Sequence, residues 1–142
     1  MTAHSKMYVP KKNEEYISPF GPSMAYKKLT PTFVKTMNTL MTDELPDFSD
    51  QLVGKVKQEL EFNKEIEALW MKEVSSFIAR FHSYSEQRNS FGVKNLNTEK
   101  YNYGIKVNSG WFVRQYEHEY NPIHLHIGSS MSCVGYLALP EG

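Results

Sequence analysis

An α+β fold is the class this sequence predicts, with helices through its middle and strands in its last third. Three observations carry that. Apolar residues recur at helical spacing in two segments, 33–41 and 66–81. From Tyr101 onward they fall instead into short β-type runs divided by turn chemistry. The composition, 40% hydrophobic and 23% charged over 142 residues, is that of a globular chain rather than a disordered one. At this length one domain is the default, and a core can form without disulfides.

Residues 1–28 contain Pro10, Pro19 and Pro22 and scattered anchors (Tyr8, Val9, Tyr16, Ile17, Phe20), which predicts an N-terminal arm with a short strand around Glu15–Ser18. Residues 29–100 form the helical region. Thr30-Pro31 is a helix start: Thr can cap, and Pro suits the first helical position, where its missing N–H would have no partner anyway. Phe33, Val34, Met37, Leu40 and Met41 then share one face, and Leu45-Pro46 ends the helix. Residues 46–62 are polar with isolated apolar sites and read as a loop with a short helix at its end. The clearest helix follows, with Ile66, Leu69, Trp70, Val74, Phe77, Ile78 and Phe81 at steps of three and four. Trp70, Phe77 and Phe81 are expected to face a sheet, since so apolar a stripe must bury against something. Ser83 to Thr98, rich in Ser, Asn, Gln and Gly, reads as a connector. Residues 101–142 supply the strands: 103–107, 111–116, 123–127 and 133–139, separated by Asn108-Ser109-Gly110, Asn121-Pro122 and Gly128-Ser129-Ser130.

Charge and cysteine content narrow the function. Lys+Arg and Asp+Glu number 16 each, a net charge of 16 − 16 = 0, which argues against a broad nucleic-acid or anionic-membrane surface. Cys133 is the only cysteine, so neither a disulfide framework nor a CxxC site can form within the chain. It sits beside Val134 and reads as a small core residue rather than a nucleophile. No secretory signal or spanning apolar run is present, and the expectation is a soluble, cytoplasmic protein (the host cytoplasm if phage-encoded).

Chemistry concentrates near the C-terminus. His4 and His82 read as solvated or capping residues. Along a strand, residues two apart point the same way, so His124 and His126 share one face and Ile123, Leu125 and Ile127 the other. Two imidazoles on one face can grip a metal ion, and imidazole suits Fe, Zn, Cu and Ni alike. A half-exposed strand that merely carries two histidines gives the same pattern.

The wider segment adds to this. Asn121-Pro122-Ile123-His124-Leu125-His126, then Gly128-Ser129-Ser130 and Ser132-Cys133-Val134-Gly135-Tyr136-Leu137, then Pro140-Glu141-Gly142, resembles a family of 2-oxoglutarate- and Fe(II)-dependent oxygenases found among bacterial and tailed-phage genomes. The resemblance extends upstream through 109–116 and more loosely to 52–55 and the helix start at Leu29. It implies N-terminal helices packed on a double-stranded β-helix (jelly roll) and an enzyme that oxidises a small-molecule or peptide substrate while converting 2-oxoglutarate to succinate. It maps His124 onto the first iron ligand and His126 onto the second. In related oxygenases, tyrosines on the strands flanking the first ligand hydrogen-bond the 2-oxoglutarate carboxylates, which gives Tyr116 and Tyr136 that role or, also open, that of a packed tyrosine with its hydroxyl on a local partner. Two departures stand out. Position 126 is His where the superfamily has a carboxylate, and no distal His follows, nor any Lys or Arg after Arg114. The expectation is therefore a jelly roll truncated at its C-terminus and inactive by itself, with oligomerisation open. Four alternatives stay open: His118 as a third ligand, His126 supporting the metal site without touching the ion, a non-catalytic metal- or ligand-binding β-barrel module, and a structural interaction module whose histidines are incidental.

Overall fold

The computed structural model describes residues 11–17, 23–89 and 104–140. In chain order its elements are β1 (Glu14–Ile17), β2 (Met24–Lys27), α1 (Pro31–Leu40), a 3-10 turn (Ser49–Gln51), β3 (Gln58–Glu61), α2 (Lys64–Asn89) and β4 (Trp111–Arg114). The class is α+β. The strands form two separate antiparallel pairs, β1 with β2 and β3 with β4. Among the described residues there is no double-stranded β-helix.

The chain divides into two compact units, Met1–Lys28 with Glu73–Ile105 and Leu29–Lys72 with Lys106–Gly142. In the first, the expected arm is a hairpin. Glu14 pairs with Lys27 and Ile17 with Met24, so the short strand expected near Glu15 has a partner. Tyr16 meets Phe77, Phe81 and Tyr84 of α2 at ring centroids 6.4, 5.7 and 4.9 Å away. The stripe expected to face a sheet thus does so at Phe77 and Phe81. Glu14 accepts a fork of hydrogen bonds from Arg80, Nε to Oε2 at 3.2 Å and Nη2 to Oε1. Lys27 Nζ binds Glu73 at 2.8 Å.

The second unit holds a core of Phe33, Met37, Leu60, Ile66 and Phe112, with Leu69, Trp70 and Leu137 packed on it. α1 starts as expected with Pro31 in the first turn, but Thr30 makes no side-chain cap. Asn63 caps α2, its Oδ1 accepting from Ile66 N–H at 2.9 Å. α2 then runs to Asn89, so the connector expected from Ser83 begins later; Ser90 to Thr98 lie outside the described residues. Ser and Gln favour loops only weakly, and a helix already under way adds one hydrogen bond per residue.

The expected loop 46–62 contains β3, whose register puts Leu60 opposite Phe112. Of the four expected strands, only 111–114 of the second is one. Residues 104–107, 123–127 and 133–139 pair with no strand among the described residues, and 101–103 lie outside them. Alternation supplies a face but not a neighbour, and a ladder needs both. The tail is still anchored: Asn38 Nδ2 donates to Leu137 O at 3.0 Å. Gly135 lies so close to Trp70 that a Cβ there would meet Cη2 at 2.7 Å. No helix of the described residues is long and apolar enough to cross a membrane.

Candidate metal site

The histidine tract hangs between two anchors. Before it, Lys55 N–H donates to Tyr120 O at 2.8 Å, and Gly54 leaves room for the Asn121 side chain. Glu119 steadies this turn, accepting from Tyr116 N–H at 3.0 Å and Lys57 N–H at 3.4 Å. After it, Asn108 Nδ2 donates to Gly128 O at 3.1 Å, where Gly128 takes a φ of +82° that suits a residue without Cβ. Between the anchors the chain bends at Ile123 and turns at Ile127-Gly128, and it pairs with no strand of the described residues.

The imidazoles come together without a strand to hold them. His124 and His126 Nε2 atoms are 3.1 Å apart. His124 Nδ1 lies 2.7 Å from Pro122 O. A carbonyl only accepts, so Nδ1 carries the proton and a neutral His124 presents a bare lone pair at Nε2. Ligating histidines are commonly oriented this way, by a backbone carbonyl on the nitrogen away from the metal. Nitrogens 3.1 Å apart and each about 2.1 Å from one ion subtend roughly 95° at it, which suits adjacent positions of an octahedron. The pair therefore fits two ligands of a metal such as iron. Without a cation, His126 Nε2–H donates to His124 Nε2 across the same gap.

His126 has a different support. Its ring lies over Trp111, centroids 6.2 Å apart and planes 27° from parallel. Trp111 in turn stacks on buried Phe48 at 5.3 Å and 28°. Pro122, Trp111 and Phe48 are the residues that sequence reasoning missed. Pro122, two residues before His124, was visible in the sequence, but the bend at Ile123 between them was not. Nothing in the sequence pairs Phe48 with Trp111.

The other expected site residues stay apart. His118 is exposed, takes a φ of +65° and has its Nε2 3.4 Å from Glu117 Oε1. It lines a shallow groove with Gly54, Lys55, Tyr116 and Glu119 that neither His124 nor His126 borders. Among the described residues no three of His, Cys, Asp and Glu come together as a metal site, so His118 does not join the pair. Tyr116 and Tyr136 are exposed, and among the described residues neither makes a ring or hydrogen-bond contact with the histidines. Cys133, expected in a core strand, is exposed because that strand does not form. His4 lies outside the described residues.

No protein-family model, curated protein or solved structure matches this chain.

Proposed function

We propose that His124 and His126 bind Fe(II) for a 2-oxoglutarate-dependent oxygenase. The observation that carries this reading is the convergence of the two Nε2 atoms at 3.1 Å, with His124 already held in the ligating tautomer by Pro122 O. The resemblance of the Asn-Pro-x-His-x-His segment to such oxygenases supports the choice of iron. Iron at this pair supplies coupling of 2-oxoglutarate decarboxylation, yielding succinate, to oxygen insertion into a C–H bond of a second substrate. The chain's own part is to hold the ion on one side and leave the other open. His126, neutral where a carboxylate is usual, makes the site one negative charge poorer. Tyr116 and Tyr136 are the residues this reading assigns to the 2-oxoglutarate carboxylates. The finer fold in this reading is a jelly roll. Its support is the tract's exposed aliphatic face, with Ile123, Leu125 and Ile127 at 105, 86 and 94% exposure, as in a strand without its cover.

A second reading, a metal-binding module without turnover, is favoured by the count of two convergent donors among the described residues. One experiment separates the two. Anaerobic titration of the 142-residue protein with Fe(II) is expected to give one ion per chain, abolished by His124→Ala and kept by His126→Asp, which restores the usual carboxylate. Adding 2-oxoglutarate and O2 and measuring succinate then decides: turnover supports the oxygenase, and binding without turnover the module. Wild type that binds no Fe(II) sinks both. Loss of binding in His126→Asp alone shows that a second imidazole is required.

A further inference from the structure

Beyond their contact with each other, each histidine of the pair has one orienting contact, and the two differ in kind. His124 is held by a carbonyl, at 2.7 Å from Pro122 O. His126, exposed, has beside His124 itself one ring neighbour among the described residues, the indole of Trp111. We propose that Trp111 is the positioning residue of His126: it sets the plane of that imidazole so that Nε2 faces the ion. The inference rests on the metal reading of the pair.

The geometry is a column of three nearly parallel rings, Phe48, Trp111 and His126. Its base is rigid. Phe48 is 7% exposed, and its N–H donates to Glu59 O at 2.7 Å. Trp111 sits in β4 opposite Glu61, whose own N–H is fixed to Pro46 O at 2.8 Å. The column thus carries order from the buried sheet out to an exposed side chain whose other ring neighbour among the described residues is His124. Both ring separations fall in the 4.5–7 Å window of favourable aromatic pairs. The contact also strengthens when it is needed. A metal at Nε2 withdraws electron density from the imidazole, and a more cationic ring is attracted more strongly to the indole face. Trp111 therefore favours the metal-bound form over the free one, as supports behind metal ligands commonly do.

The test uses Co(II) with the 142-residue protein, reading the metal's d–d absorption and the tryptophan emission. Trp111→Leu, which keeps an apolar side chain in the column without a π face, is expected to weaken Co(II) binding roughly 10-fold or more. Trp111→Phe should recover most of that loss. Co(II) should quench more of the emission in wild type than in Trp111→Phe, since the remaining Trp70 packs on the core cluster and has no ring contact with the histidines among the described residues. Urea midpoints for both variants control for folding; should Trp111→Leu fail to fold, Phe48→Leu, which removes the base of the column, takes its place. Equal Co(II) affinity in wild type, Trp111→Leu and Trp111→Phe overturns the positioning role and leaves the metal site standing. Wild type that binds no Co(II) overturns both.

Discussion

Glu59 is the residue whose surroundings fit it worst. It is 1% exposed, and among the described residues neither carboxylate oxygen has a hydrogen-bond partner. Burial pushes its pKa up, and the nearby charges of Asp47 and Glu119 push the same way. A folded-state value above the unfolded one, about 4.3, means that the folded chain holds this proton more tightly. The resulting stability is complete below the unfolded value and is lost as pH rises through the folded one. At neutral pH, Glu59→Leu should therefore stabilise the protein by about 1–3 kcal/mol, the cost of a buried polar group left without a partner. Urea denaturation at pH 7 and pH 4 checks this, with the gain shrinking at the lower pH. A variant less stable than wild type at pH 7 would mean that the carboxylate has a use in the fold.

At the scale of elements, the hairpin and α2 are joined by one charged and one aromatic contact set. Burial by itself would raise the Glu14 pKa. The Arg80 hydrogen bond and charge, with the Lys11 amide and the Tyr16 hydroxyl, outweigh it and hold the value below the usual range. Here the sign is opposite to that of Glu59: the stability is present above the unfolded value and is lost as pH falls through the folded one. Arg80→Ala leaves the Glu14 side chain, 2% exposed, without its charge partner. Because breaking one side of a buried pair strands the other charge, the expected loss is about 3–5 kcal/mol at pH 7 and less near pH 3. Thermal unfolding at both pH values measures it. In the other unit, Trp70 packs on Phe33 at 5.9 Å and Phe62 at 6.2 Å, and over Gly135. Trp70→Ala should cost about 3–5 kcal/mol, from lost transfer energy and the cavity left behind. A loss under about 1 kcal/mol would show that these contacts do not persist in solution.

For the whole molecule, the division into two units predicts where metal acts. The histidine pair, its carbonyl, its aromatic column and both anchors lie in the unit of Leu29–Lys72 and Lys106–Gly142. Metal that binds the folded chain and not the unfolded one adds about 2.7 kcal/mol at one hundred times Kd. With saturating Co(II), amide exchange should slow within residues 106–140 and stay unchanged in the β1–β2 hairpin, by mass spectrometry of peptides from each. Equal slowing in both would show that the units open together. A net charge of zero leaves no long-range self-repulsion, so the exposed Ile123, Leu125 and Ile127 make protein concentration a variable to hold fixed in all these measurements.

What the sequence determined by itself was local. The Pro31 start and the apolar face of α1, the stripe of α2 from Ile66 to Phe81, and the sharing of one side by His124 and His126 all follow from backbone period, which a residue shares only with its near neighbours in the chain. The histidines converge although 123–127 is not a strand and the chain bends at Ile123. Tertiary structure decided what depends on a distant partner. Gln58–Glu61 has no marked strand propensity and becomes β3 because Trp111–Arg114 lies beside it. The residues 123–127 and 133–139 alternate well and form no ladder, since no described segment lies beside them to exchange hydrogen bonds. The same holds within the site. The ligand pair is written in two positions one residue apart, with Leu125 between them, whereas the ring that orients His126 comes from fifteen residues away and stands on Phe48, which only folding brings to it.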